Sequence, residues 1–413
     1  MTLFMREPPC GGFPWGTRQN WTLTKTIGNR NKIIIMNNIS KGKIKVVGLV
    51  TWIGSGNYGT TLQSFALHEK LRLLGYDVFI IGTFKPSETI KRVSKYLLGK
   101  IGIRKYNEEK YCRYLLPYGN KLYKFQNENY NRERPLLNSE FKKIVNRTDV
   151  FVTGSDQIWN VTYDFNPFMF LDFAGNKKRV AYASSIGISY IPDKYRDQIK
   201  ILLTKFAHIG VREQTAVKVL SDIVGRNDIV QVLDPTFLLT HEEWIAMSKS
   251  AVYEMLIPEK FILCYLIGKN DWYQDQLKNV VKKSGIENII IIPSAENTDF
   301  MIEGASVYKF AGPKEFVNLV QRSTLVCTDS FHATAISINL SKKFVEFLRF
   351  RDTDSASQNS RIYDLLNHFH LKDRLYDGKD VAWVKDIDYT EIQKILEEDR
   401  KKSIEYLVNS IEQ

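Results

Sequence analysis

Nowhere in the 413 residues does an apolar run approach the roughly 18 residues that a membrane-crossing helix needs. The opening stretch MTLFMREPPCGGFPWGTRQNW (1–21) lacks the continuous apolar core of a secretory signal. Cysteine is sparse: Cys10, Cys112, Cys264 and Cys327 are scattered, without a C-x-x-C pair or the density of a disulfide framework. These absences exclude an integral helical membrane protein and a disulfide scaffold, and they predict a reducing, cytoplasmic setting. Histidine is scarce as well. His368 and His370 form an H-x-H on an apolar segment with no third ligand nearby, so no metal is expected. No recognition helix, zinc finger or RNA-binding signature accompanies the basic residues, which argues against nucleic acid as a partner.

What is present is ordinary globular material, 44% hydrophobic and 12% aromatic, enough to bury a sizeable core. The length predicts about two to three domains. The net charge of +12 is unevenly spread. Residues 1–43 carry seven Lys and Arg against one acid. They mix Pro, Gly, Trp and polar residues without periodicity, so residues 1–42 are expected to form a disordered tail. Met36 stands just before the first apolar run and could be the true start. Residues 91–147 carry fifteen basic residues against five acids, interleaved with Leu97, Leu98, Tyr106, Tyr114, Leu122, Tyr123 and Phe125. A basic helical insert at about 88–147 follows. Its faces are either simply solvated or suited to anionic lipid headgroups, where each basic group near the surface adds about 1 kcal/mol.

Short apolar runs alternate with helix-like segments almost throughout. Strands are expected at 45–52, 78–82, 150–154, 179–185, 207–211 and 229–234, and a second series at 261–268, 287–293, 324–330 and 343–347. Helical periodicity falls between them, at 60–75, 195–206, 214–224, 271–285 and 315–323. This pattern predicts parallel sheets covered on both faces. The fold class is therefore α/β, with two Rossmann-like domains, 43–239 and 240–375, and a ligand crevice between them. Residues 376–413 read as an amphipathic helical extension packed on the body.

The first strand runs into GSGNYG (54–59), a match to G-x-G-x-x-G. A dinucleotide site also needs an acid at the tip of the second strand, to hold ribose hydroxyls. That strand ends IIGTFKP (80–86), with no acid. What remains is a turn whose backbone N–H groups, with Thr60 and Thr61, could hold an anion; the bland alternative is close packing alone. Other polar motifs sit where strands end: GSDQIWN (154–160), AYASSIG (181–187), GVREQTAVKVL (210–220), LDPTFLL (233–239) and CTDSFHATAIS (327–337). In open α/β sheets ligands bind outside the carboxyl ends of strands, so these residues are expected to line one crevice.

In this order the motifs resemble those of the polysaccharide pyruvyl transferase family. The resemblance runs from about Lys43 to Arg374, through NYGTTLQSFAL (57–67), GSDQIWN, AYASSIG, the VRE turn, LDPTFLL, TDSFHATAIS and NSRIYDLLNHFHLKDR (359–374). It implies a glycosyltransferase-B-like architecture. It further implies transfer of pyruvate from phosphoenolpyruvate, as a ketal, onto a sugar of a bacterial surface polysaccharide or its lipid-linked precursor. Phosphoenolpyruvate is then a co-substrate, with no separate cofactor, and the acceptor is reached at the inner face of the membrane.

That chemistry wants cations for a phosphate and a carboxylate and a proton donor near neutral pH, a duty that suits imidazole. His332 is the candidate acid or base, with Asp329 beside it as the second catalytic residue. Arg212 matches a family arginine that holds the donor, for which a guanidinium is suited by its bidentate geometry. Where better-described members carry a second arginine, two places before the histidine, this chain has Ser330. Arg361, Lys342 or Lys343 could supply the cation instead. Asn57, Gly59, Thr60, Gln63, Gly154, Ser155, Asp156, Ser184 and Ser185 are expected to line the acceptor side. Two other functions fit the same pattern: a nucleotide-sugar glycosyltransferase, or a catalytically silent carbohydrate-binding or assembly protein, for which the missing arginine speaks.

Overall fold

A computed structural model of the chain describes residues 44–53, 56–82, 117–135, 137–163, 165–354, 357–378 and 381–413. The expected tail, Gly54 and Ser55 of the glycine turn, and the part of the basic insert holding Lys91, Arg92, Lys95 and Lys100 lie outside the described residues.

The first apolar series becomes a seven-stranded sheet: β1 (Val46–Val50), β2 (Asp77–Ile81), β3 (Arg132–Glu133), β4 (Val150–Thr153), β5 (Lys178–Ser184), β6 (His208–Val211) and β7 (Val230–Gln231). Their order is β3-β2-β1-β4-β5-β6-β7, and every pairing is parallel. Helices α1 (Tyr58–Leu73), α2 (Pro117–Asn129), α3 (Asn138–Arg147), α4 (Asp193–Leu203) and α5 (Gln214–Val224) connect them. The central strands are buried on both faces, which is why they read as unbroken apolar runs. Phe151, Trp159, Phe170, Ile209 and Leu220 anchor this core.

The second series repeats the plan. After α6 (His241–Ser248) come β8 (Ile262–Tyr265), α7 (Tyr273–Ser284), β9 (Ile289–Ile291), β10 (Ser306–Val307), α8 (Pro313–Arg322), β11 (Leu325–Thr328), α9 (Phe331–Asn339) and β12 (Phe344–Glu346). The sheet order is β10-β9-β8-β11-β12, again all parallel. Tyr273, Leu277, Ile289 and Trp383 are buried in its core. Two parallel, doubly wound sheets in one body define the fold class. Each has a switch point where the winding reverses: β1 beside β4, and β8 beside β11.

The described end of the basic insert departs from expectation. Leu122 and Phe125 of α2 are buried, with Phe125 edge-on to Phe65 of α1 at 5.1 Å. Tyr130 is buried too, its hydroxyl 2.9 Å from that of Ser64. These residues complete the first core instead of forming an adhesive surface, whereas Tyr123 stays exposed. Edge strands β3 and β10 were missed because two residues each, Arg-Glu and Ser-Val, carry no apolar run.

Helix α10 (Ser360–His368) and the long α11 (Tyr389–Glu412) follow the second sheet. Ile392, Leu396, Leu407 and Ile411 bury one stripe of α11. The helix starts on the second domain, where Gln393 donates to the Ile338 carbonyl (3.1 Å). It ends on the first, where the Tyr406 hydroxyl donates to the Ala181 carbonyl (3.0 Å). No helix among the described residues is long and apolar enough to cross a membrane.

Candidate active site

The two switch points face each other. From the first, α1 begins beside the carboxyl end of β1 and brings Tyr58 across to the second domain. Its hydroxyl donates to the Ala311 carbonyl at 2.8 Å, and its ring stacks on Phe316 with centroids 4.8 Å apart. Asn57 caps the helix by accepting from the Thr60 amide (3.2 Å), the ordinary role of an N-cap side chain. Gly59 then meets His332 directly: a Cβ there would lie 2.5 Å from the imidazole Nδ1 and 2.8 Å from its Cβ. The last glycine of GSGNYG is therefore a close-approach residue for the opposite domain. Its partner is a side chain of this chain, not a dinucleotide.

The turn after β4 supplies the next group. A Cβ on Gly154 would overlap the Tyr182 carbonyl oxygen at 1.9 Å, so only glycine fits. Asp156 follows in the left-handed region (φ 73°), a conformation that costs of order 1 kcal/mol and that Asp adopts more readily than most residues. Its Oδ2 accepts from Thr60 Oγ1 (2.8 Å) and its Oδ1 from the Gln157 amide (2.9 Å).

Arg212 leaves the carboxyl end of β6 and is buried. Its Nη1 donates to Asp234 Oδ2 (2.8 Å) and lies 3.3 Å from His332 Nε2. Its Nε donates to Glu213 (3.2 Å), and the guanidinium carbon sits 4.2 Å from the centroid of Phe331. Nη2 is buried without a partner. Asp234 caps the short turn after β7, accepting from the amide (2.9 Å) and hydroxyl (2.7 Å) of Thr236. Its other oxygen takes Ser155 Oγ (3.2 Å) and lies 3.5 Å from His332 Nε2. Ser185 donates to Glu213, and Ser184 donates to the Thr153 carbonyl (3.1 Å).

These charges set one another. Burial alone would raise the pKa of Asp234, but His332 and Arg212 outweigh it and hold the carboxyl far below the usual range. Asp156 is likewise depressed despite burial, by His332, Arg212 and the Thr60 and Gln157 donors. Arg212 is desolvated, yet Glu213, Asp234 and Asp156 keep it firmly charged. His332 Nε2 thus lies between an obligate donor, Arg212, and an ionised acceptor, Asp234. It accepts from the first when bare and donates to the second when protonated, which is the geometry of a proton-transfer group.

Three residues expected in the crevice serve other duties. Asp329 accepts from the Ile267 and Gly268 amides (2.7 Å each), the Tyr273 hydroxyl (2.8 Å) and Arg349 Nε (3.3 Å). Four donors converge on it, three of them on Oδ2, so its observed role is to clamp the β8 and β11 turns. Ser330 caps α9, accepting weakly from the Ala333 amide (3.4 Å). Gln63 is buried against its own turn, donating to Thr51 Oγ1, the Trp52 carbonyl and the Thr60 carbonyl (3.2, 3.0 and 3.0 Å).

Of the substitute cations, Lys343 binds the Val384 carbonyl and Asp386 at the amino end of β12, and Lys342 precedes it there. Parallel strands put that end of the sheet opposite the site. Arg361 is on the right side. It is buried, and among the described residues no carboxylate lies within ion-pair distance of it. Burial, then repulsion from Arg212, lowers its pKa to about 10. Arg212 and Arg361 share a cavity of about 370 Å³ with Phe331 and His368, and with the carboxylates of Glu213, Asp234, Asp364 and Asp399. His332 does not line it; its neighbour Phe331 does. Asp234, Glu213 and Arg349 were not picked out as site residues. An acid following a strand end was the available signal for the first two, and none marked Arg349.

The sequence model of the polysaccharide pyruvyl transferase family matches residues 57–348, and the chain belongs to that family. It thereby joins the transferases that act on polysaccharides. No curated protein matches it. Among solved structures it is similar to Arabidopsis thaliana UGT89C1 complexed with UDP-L-rhamnose, at 12% identity and TM-score 0.48, over 89% of this chain and 99% of that one. It is also similar to S. aureus MnaA with UDP, at 11% identity and TM-score 0.43, over 88% and 91% of the two chains. At that distance the likeness carries no chemistry across.

Proposed function

We propose that the protein transfers pyruvate from phosphoenolpyruvate, as a ketal, onto two hydroxyls of a sugar in a bacterial surface polysaccharide or its lipid-linked precursor. The observation that carries this reading is the Arg212–His332 contact of 3.3 Å, with Arg361 as a second buried cation that makes no ion pair among the described residues and whose charge Glu213 and Asp156 offset only in part. A buried charge that is only partly compensated is costly, and an anionic ligand lowers that cost.

In this reading the two arginines hold the carboxylate and phosphate of the donor. His332 delivers a proton to the methylene carbon, making it a methyl group, while a sugar hydroxyl adds to the carbon bearing phosphate. Asp156 takes the proton of that hydroxyl. The carbon–oxygen bond to phosphate breaks, and the second hydroxyl closes the ketal. One hydroxyl proton ends on the new methyl group and the other on released inorganic phosphate, so the reaction balances without a redox partner or cofactor. The acceptor side is formed by Asn57, Gly59, Thr60, Gly154, Ser155, Asp156, Ser184 and Ser185.

The test is phosphate release from phosphoenolpyruvate with lipid-linked sugar acceptors, in wild type and His332→Ala. Loss of a general acid costs about 10²–10⁴-fold; equal rates would remove His332 from the mechanism. Thermal stabilisation by a nucleoside diphosphate sugar, and none by phosphoenolpyruvate, would favour the glycosyltransferase reading. Acceptor binding without phosphate release would favour the silent one. Peripheral docking on an anionic inner membrane, through the basic insert, completes the proposal. Liposome co-sedimentation that survives charge reversal of Lys91, Arg92, Lys95 and Lys100 together would refute that part.

A further inference from the structure

A chain of side-chain amides crosses from the first domain to Arg361, and its direction is determined at both ends. The Thr162 amide, which can only donate, bonds Asn160 Oδ1 at 3.0 Å. Asn160 Nδ2 must then face Gln157, donating to its Oε1 at 2.8 Å. Gln157 Nε2 in turn donates to Gln358 Oε1 at 3.0 Å. From the far end Arg361, also a donor only, places Nη2 2.9 Å from that same oxygen. Gln358 Nε2 is left to donate to the Tyr163 hydroxyl at 3.0 Å. Gln157, Asn160, Gln358 and Arg361 are all buried. Gly187 lets the chain pass, since a Cβ there would sit 2.0 Å from Gln157 Oε1.

Gln358 is the only acceptor that Arg361 bonds among the described residues, through its side-chain oxygen and, at 3.4 Å, its carbonyl. An amide is an unusual sole partner for a buried guanidinium. It fixes the head without cancelling the charge. A carboxylate at the same place would hold the arginine more tightly and spend its charge inside the protein.

We infer that Gln358 is a positioning residue that aims Arg361, which makes no ion pair among the described residues, at the anionic donor, and that Gln157 ties this placement to contact between the two domains. The inference rests on the donor assignment proposed above. Gln157 belongs to the turn that carries Asp156, and Gln358 to the segment leading into α10. Arg361 is therefore fully fixed only when both halves of the site are together.

The experiment compares wild type, Gln358→Glu and Gln358→Leu by melting temperature and by kcat and KM for phosphoenolpyruvate. In Gln358→Glu the new carboxylate pairs with Arg361. The melting temperature rises while KM for phosphoenolpyruvate increases at least about tenfold, with kcat much less affected. Gln358→Leu lowers the melting temperature and also raises KM. Structural damage would move stability and donor affinity down together, so the opposite signs in Gln358→Glu are the signature. An unchanged KM in Gln358→Glu, or a fall in both quantities, overturns the inference. Failure of the underlying reading is visible earlier, in wild type: a protein stabilised by neither phosphoenolpyruvate nor inorganic phosphate has no anionic donor to position, and both conclusions fall.

Discussion

Adding one methyl group at Gly59 tests the geometry of the site more directly than removing a catalytic side chain. The Cβ of Gly59→Ala would lie 2.5 Å from His332 Nδ1, about 0.9 Å short of the 3.4 Å at which ordinary packing begins. Neither neighbour can yield cheaply: α1 is held by Tyr58 across the domain boundary, and His332 is in the first turn of α9. If the ring gives way by that amount, its Nε2 leaves the 3.3 Å contact with Arg212. A misplacement of about 1 Å costs about 10²-fold in rate, and overpacking costs about 1–3 kcal/mol. For a body of this size each kcal/mol moves the melting temperature by about 1 °C, so it drops by about 1–4 °C and the protein remains folded. Phosphate release from phosphoenolpyruvate measures the first effect and a melting curve the second. Gly82→Ala is the control, since a Cβ there meets nothing within 4 Å. A Gly59→Ala enzyme with wild-type turnover would refute the claim that this glycine sets the imidazole.

Three further outcomes are expected. Arg212→Lys keeps a charge but loses the planar fork, so affinity for phosphoenolpyruvate falls about 10–100-fold by titration. Tyr58→Phe retains the stacking on Phe316 but strands the Ala311 carbonyl, costing about 1–3 kcal/mol in denaturant unfolding. Glu346 is buried and its pKa raised well above the usual value, chiefly by burial. The unfolded chain ionises near pH 4.5, so its contribution is fully present below that pH and is lost as pH rises toward the folded pKa. Gln in its place has no such loss, and the melting temperature of Glu346→Gln relative to wild type should climb between about pH 4 and pH 8. A pH-independent difference would refute the buried protonated acid.

The fold was readable because each central strand is buried on both faces and so had to be written as an apolar run, while helical periodicity filled the gaps. Edge strands such as β3 escaped because their pairing is set by neighbours, not composition. In the site, Arg212, His332, Asp156, Thr60 and Gly59 come together as motifs at strand ends would require. Their partners were less legible. Asp329 looked catalytic beside His332, yet successive residues leaving a strand point different ways, and this one turns back to bond the amides at the end of β8. Ser330 carried the marks of an N-cap and became one. Half-buried Arg349 and buried Gln358 owe their roles to contacts with distant parts of the chain, which no local spacing encodes.

Arg400 of α11 has a mechanical consequence. Its Nε donates to the Phe237 carbonyl at 2.6 Å, where the chain is about to leave the first domain, and its Nη2 reaches Asn339 at 3.4 Å in the second. The outbound strand of polypeptide and the returning helix are thus riveted at one spot. The two domains are also bridged on the side of the site, by Tyr58 to the Ala311 carbonyl and by Gln157 to Gln358, so Arg400 is one fastening of a body held at both ends.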